Sequence, residues 1–149
     1  MTPVHPISRA LGLVQDPRLL WFMAEAGLAL HNARQTDRAE RVFRALTLLS
    51  AEEPLGWLGL AKVALDREDG REAARLATVG IRCTRQTRST RSESHFVLGR
   101  AQALQGRLKD AVRSMERAVN ADPKGVYAAF ASEARESLQQ FLDRRDNPV

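Results

Sequence analysis

The residues best suited to chemistry in this 149-residue chain are three histidines (His5, His31, His95), one cysteine (Cys83) and four closely spaced arginines (Arg82, Arg85, Arg88, Arg91). Two histidines that share a metal on a helix stand four residues apart, so that both imidazoles leave the same face. His5, His31 and His95 are nowhere near that spacing. Cys83 has arginines close by, which favour a thiolate, but no general base accompanies it, and it reads as a structural thiol. No glycine-rich phosphate loop with a following lysine occurs, nor a glycine-flanked serine nucleophile. The acidic residues stand beside basic ones at helical spacing (Asp37/Arg41, Glu68/Glu72/Arg75, Asp110/Arg113), as on a solvated surface. The expectation is a chain with no catalytic residues, no cofactor and no metal.

The net charge is +5, and nearly all of the excess falls within residues 54–91. Its densest part is CTRQTRSTR, with an arginine at every third position. Such a cluster could meet phosphate or acidic side chains. It has no interleaved aromatic residue to stack on bases and no reading helix, so a solvated, mobile loop is favoured over a nucleic-acid site. With 44% hydrophobic and 28% charged residues, the composition is that of one globular domain. The longest apolar run, Leu19 to Ala24, is far short of the ~20 residues of a membrane span. A lone cysteine excludes an internal disulfide and suits a reducing compartment. Met1 to Val14 lacks a basic stretch followed by an apolar one, so no secretory leader is read there. These features point to the cytoplasm.

Glycine and proline are sparse, apolar residues recur at helical spacing, and no stretch alternates as a strand does. The chain reads as all-α. Breaks fall at Asp16-Pro17, Gln35-Thr36-Asp37, Glu53-Pro54, Asp69-Gly70, Gln105-Gly106 and Asp122-Pro123, where Pro or Gly stops one helix and Asp or Thr can cap the next. Helices are predicted over 18–34, 37–50, 54–68, 71–84, 92–105, 108–121 and 125–143, with a short one allowed over 6–14.

The helices come in pairs, and the pairs repeat. Ala39, Ala73 and Ala111 open the second helix of successive pairs. Gly27, Ala61 and Gly99 precede them in the first helix, and Phe43, Ala77 and Met115 follow one turn later. Antiparallel helices approach closely only where side chains are small, which accounts for Gly and Ala at the crossings. Phe43, Leu46, Leu60, Leu98, Met115 and Val119 then fill the gaps between pairs. The second interval is four residues longer than the first, an insertion placed in the arginine loop. A single pair cannot bury both faces, so pairs stack into a right-handed array that needs an end cap. The last helix supplies one, with Val126, Tyr127, Ala129, Phe130, Ala134, Leu138 and Leu142 forming an apolar stripe on a polar back.

The third unit, SHFVLGRAQALQGRLKDAVRSMERAVNADP, resembles a tetratricopeptide repeat, with Leu98-Gly99, Gly106, Ala111, Ala118 and Pro123 at that repeat's marked positions. The second unit carries Trp57, Leu60, Ala61 and Ala73, and the first carries Gly27, Leu30, Ala39 and Phe43. The expected organisation is an N-terminal extension (1–17), three repeats within 18–123 (about 20–53, 54–87 and 92–123) and a capping helix with tail (124–149).

The resemblance implies a concave face lined by the first helix of each unit. By register it carries Trp21, Ala24, Leu28 and His31, then Leu55, Leu58, Lys62 and Leu65, then Glu93, Phe96, Arg100 and Ala103. Trp21, Leu28, His31, Leu55, Leu58, Lys62, Leu65, Phe96 and Arg100 are the candidate peptide-binding residues. The apolar ones are candidate anchors, and Lys62 and Arg100 are candidate readers of polar or acidic groups. Trp21, Leu28, Leu58, Leu65 and Phe96 are taken as surplus to the core. The N-terminal segment or a second copy of the chain remains an alternative cover for this face. The carboxylate-clamp class, which grips acidic tails of heat-shock chaperones, needs Lys, Asn and Arg where this chain has Ala24, Leu28, Glu93 and Val97.

The stretch RAERVFRALTLLSAEEPLGWLGLAKVALDREDGREAA resembles the cytoplasmic type III secretion chaperones built from three such repeats. The likeness rests on Arg41, Val42, Phe43, Leu46 and Leu49, then Trp57, Leu58, Gly59 and Leu60. It implies a chaperone that holds a translocator or needle subunit ready for export, often as a homodimer through its N-terminal helix. Two other readings stay open: a scaffold that bridges proteins of another complex, and a basic loop for nucleic acid or anionic lipid, whose affinity would fall steeply with salt.

Overall fold

Proline stands in the first turn of two helices and acidic or hydroxyl side chains cap four, which sets where each segment begins. The computed structural model describes residues 16–148. Among them the elements are α1 (Pro17–Asn32), α2 (Thr36–Leu49), α3 (Pro54–Asp66), α4 (Gly70–Arg82), α5 (Arg88–Leu104), α6 (Leu108–Ala121) and α7 (Val126–Asp146), with no strand. The short helix expected over 6–14 lies outside the described residues. Asp16 accepts from the Arg18 amide at 2.9 Å, Glu53 from Leu55 at 3.4 Å and Asp69 from Glu72 at 3.1 Å. Thr87 and Thr90 satisfy each other's amides in a capping box. Each bond satisfies one amide that the first helical turn leaves without a partner.

Consecutive helices pack against each other throughout, and the first helices also touch across units: α1 with α3, α3 with α5 and α5 with α7. The second helices make no comparable contacts, so they splay outward and the row α1-α3-α5-α7 forms the inner wall of the curve. This is the superhelix of paired helices that the repeat spacing demanded.

The repeat positions carry the packing. Ala39, Ala73 and Ala111 are wholly buried, and so are Ala61 and Ala77. A Cβ on Gly27 would lie 2.5 Å from Cε1 of Phe43, and one on Gly59 would lie 2.2 Å from Cδ1 of the same ring. Phe43 is therefore a wedge held between α1 of its own unit and α3 of the next. In the third unit, Gly99 meets Met115 in the same way, its Cβ position 2.8 Å from the Met115 methyl. The second unit inverts the pattern, with Ala77 small enough to let Ala61 replace glycine.

The turn between paired helices repeats its backbone too. Arg34, Glu68 and Gly106 all have positive φ, at 62°, 56° and 73°. Only the third unit places glycine there, and a side chain in this conformation costs about 1 kcal/mol. Arg34→Gly and Glu68→Gly are each expected to stabilise the fold by about 0.5–1 kcal/mol. Each should raise the melting temperature by about 1–4 °C. A lower melting point in both variants would refute the account.

Three expectations change. The helix predicted from 92 begins at Arg88, because the Thr87 capping box starts it one turn earlier. The extra residues between units two and three therefore become mostly helix instead of loop. The loop that remains is tied down: Glu52 accepts from the Thr84 amide and hydroxyl at 3.1 and 2.7 Å, and Arg85 N donates to the Glu52 carbonyl at 3.2 Å. Asp37 pairs with Arg67, the residue that follows α3, instead of Arg41 of its own helix, at 2.9 Å, and Arg67 also bridges to Glu40 at 2.7 Å. The pairs Glu72–Arg75 and Asp110–Arg113 form as their spacing implies.

Candidate functional site: the concave wall

Three hollows follow one another along the inner wall. At the edge formed by the N-terminal ends of α1, α3 and α5, a hollow of about 490 Å³ is lined by Pro17, Leu20, Trp21, Glu53, Leu55, Arg85, Thr87 and Thr90. It adjoins one of about 260 Å³ that shares Trp21 and Leu55 and adds Ala24, Glu25, Leu28, Phe43, Leu58, Gly59, Lys62, Glu93 and Tyr127. Farther along, Leu65, Glu68, Arg100, Ala103, Leu104, Met115, Ala134, Ser137 and Leu138 line about 540 Å³ of mostly apolar space.

The candidate residues are thus brought to one wall, but in different states. Trp21 stands out at 61% exposure, while Leu28 and Leu55 are half-buried and present part of their side chains to the hollow. Leu58 and Leu65 are only 1% and 7% exposed. They belong to the central core with Ala61, Ala73, Leu76, Ala77, Val97 and Ala101. Reading them as surplus to the core is corrected: their inner edges touch the hollows, and their bulk holds α3 to α4 and α5. The small residues at the crossings leave space that these leucines fill together with Leu76 and Val97.

His31 lines none of these hollows; its Nε2 lies 2.5 Å from Oδ2 of Asp66, joining the last turns of α1 and α3. Lys62 pairs with Glu93 of the next first helix. Phe96 lines none of the three hollows either: half-buried, it packs against the Met115, Ala118 and Ala131 cluster, with ring centroids 5.8 Å from Tyr127 and 6.3 Å from Phe130, so reading it as surplus to the core is corrected too. Arg100 is exposed and lies 6.0 Å from the Phe96 centroid, within reach of a cation–π contact.

The capping helix contributes residues that the register had not carried forward. Tyr127, Phe130, Ala134 and Ser137 repeat the spacing of Glu93, Phe96, Arg100 and Ala103, so α7 acts as the first helix of a further half-unit. That spacing was the signal that could have found them. The Tyr127 side chain lies beside Glu93, and burial together with that carboxylate pushes its pKa up.

The chemically suggestive residues lie apart. Cys83 is buried, its thiol donates to the Ala51 and Val79 carbonyls, and burial pushes its pKa up to about 11. It is a protonated structural thiol at neutral pH. The four arginines differ in their surroundings, with Arg88 opening α5. Arg82 ends α4, and Arg85 sits near Glu52 and Glu53. Arg91 lies near His95 and Arg117. Among the described residues, no group of three or more His, Cys, Asp or Glu is placed to hold a metal ion. No described helix is long and apolar enough to cross a membrane.

His95 is half-buried with Nδ1 unpaired, and burial, then Arg117 and Arg91, hold its pKa below the usual histidine value. Just below pH 6.5 the unfolded chain therefore binds more protons than the native one, and stability falls as the pH drops through that window. Urea unfolding from pH 7 to 5 should show this decline, and His95→Gln should flatten it. An equal decline in that variant would refute the assignment.

No family model and no curated protein matches the chain. Solved structures do match its fold. The type III secretion translocator chaperone SycD of Yersinia enterocolitica superposes with a TM-score of 0.76 at 14% identity, covering 97% of this chain and 98% of that one. SycD in complex with a peptide of the translocator YopD gives 0.70 at 15% identity, over 84% and 95%. The first repeat domain of Spaghetti (RPAP3), bound to the HSP90 peptide SRMEEVD, gives 0.72 at 15% identity, over 86% and 96%. Stacked pairs, inner first helices and closing helix together identify the fold as the tetratricopeptide-type superhelix.

Proposed function

We propose that this protein is a non-catalytic peptide-binding chaperone of a type III secretion system, which holds an exported translocator or needle subunit in the cytoplasm before its release. The observation that carries the reading is the open apolar path from Trp21 through Leu28 and Leu55 on a rigid inner wall. An extended segment with apolar residues could seat two or three side chains there at about 1.5–3 kcal/mol each. That supplies much of the ~8 kcal/mol of a micromolar complex. The similarity to SycD, including a complex with a translocator peptide, supports the secretion role.

A scaffold bridging proteins of another complex is the second reading, favoured by the superposition on the RPAP3 domain, whose TM-score of 0.72 lies between the two for SycD. Purification from the native host distinguishes them. The chaperone reading expects one stoichiometric partner that is an exported subunit and that protects the wall's residues from labelling. A stable partner that is never exported favours the scaffold, and a partner bound away from the wall overturns both.

A further inference from the structure

We propose that Glu93 determines which guests the concave wall accepts: its carboxylate occupies Lys62 from within the chain and thereby excludes acidic segments. This rests on the reading of the wall as a peptide site.

Lys62 projects from α3 and Glu93 from α5, and both line the hollow that begins at Trp21. Their side chains are 23% and 10% exposed, so water screens their attraction poorly. Tyr127 of α7 lines the same hollow, so residues of three inner helices meet at this place. Glu25 faces the same hollow, which therefore holds two carboxylates against one ammonium. The wall's other cations lie elsewhere, Arg85 at the outer edge and Arg100 beside the far hollow. An incoming carboxylate finds no unpaired cation at this place and meets two like charges. An apolar segment displaces nothing and leaves the pair intact. Seating an acidic guest on Lys62 would first require breaking an enclosed ion pair and leaving Glu93 uncompensated, which is strongly unfavourable.

Glutamine has nearly the size of glutamate and can still accept from Lys62, but it carries no charge, so the Lys62 ammonium is left without its carboxylate and the hollow goes from one net negative charge to none, with Glu25 remaining. Glu93→Gln should therefore create a site for acidic peptides. The full-length protein and this variant are titrated by fluorescence anisotropy with labelled SRMEEVD, and with its amidated counterpart SRMQQVN. The wild type is expected to bind SRMQQVN more tightly than SRMEEVD. Glu93→Gln is expected to bind SRMEEVD ~10-fold more tightly than the wild type does, and to lose that gain when Lys62→Met is added. Equal binding by wild type and variant, or a gain that survives Lys62→Met, overturns the proposal.

Should Glu93→Gln fail to melt cooperatively, Glu93→Ala takes its place. If neither folds, the pair is a structural tie and the proposal falls. A panel of uncharged Leu-, Val- and Pro-containing octapeptides in the same titrations separates the two readings. A wild type that binds none of them counts against the peptide site itself. A wild type that binds them while Glu93→Gln gains nothing for SRMEEVD counts against Glu93 alone.

Discussion

Gly59→Leu is expected to remove a large part of the stability of this fold. The first atom of the new side chain would fall 2.2 Å from Cδ1 and 2.4 Å from Cγ of Phe43. The ring has little room to retreat, because the same Cδ1–Cε1 edge also lies against Gly27, where a Cβ would stand 2.5 Å from Cε1. Overpacking by even a methylene costs about 1–3 kcal/mol in a dense core, and leucine adds four carbons. Better helix propensity returns only about 1 kcal/mol. The clash therefore decides the sign, with a net loss of about 3 kcal/mol or more out of a typical 5–15. Urea unfolding should show it, with a melting point lower by roughly 6–12 °C. Phe43→Ala should itself cost about 3–5 kcal/mol. Combined with Gly59→Leu, it should cost at least 1 kcal/mol less than the two changes added, because the ring that clashes is gone. Strict additivity would mean that the wedge is not what holds the first two units together.

The second large effect concerns binding. Trp21→Asp with Leu28→Asp is expected to weaken the complex with the co-purifying partner by ~10²–10⁴-fold, the loss of two anchors of about 1.5–3 kcal/mol each. Trp21 is mostly exposed and Leu28 half so, and the melting point should fall by only a few degrees. Calorimetric titration of the purified partner measures the first effect and thermal unfolding the second. Undiminished affinity in the double variant would sink the groove. The choice of residues matters: an aspartate at Leu58 or Leu65 would place a charge in the central core and abolish binding by unfolding the protein, which tests nothing about recognition.

That contrast marks how far the sequence could be read. The alanines at 39, 73 and 111 and their partners at 27, 61 and 99 announced the helix crossings, because only small residues tolerate such approach. The caps at Asp16 and Asp69 were equally local, each needing an amide two or three residues away, whereas the Thr87 capping box, just as local, went unread behind the apparent arginine loop. Register alone placed Trp21, Leu28, Leu55 and Lys62 on one wall, since residues three, four and seven apart share a helix face. The same register put Leu58 and Leu65 there too. It could not say that the neighbouring helices come close enough to bury them.

Pairings between distant elements were beyond the reach of spacing. His31 with Asp66, Asp37 with Arg67 and Glu93 with Lys62 join residues about 30 or more positions apart. What the chain's order determined by itself was the all-helical repeat, its small-residue crossings and the side from which an inner wall would be built. These follow from periodicities of a few residues and from the volume of single side chains. What only the folded chain decided was which wall residues are core and which are free, and that Lys62 arrives already neutralised. Those depend on the angle and distance between helices, which arise when all the units stack together.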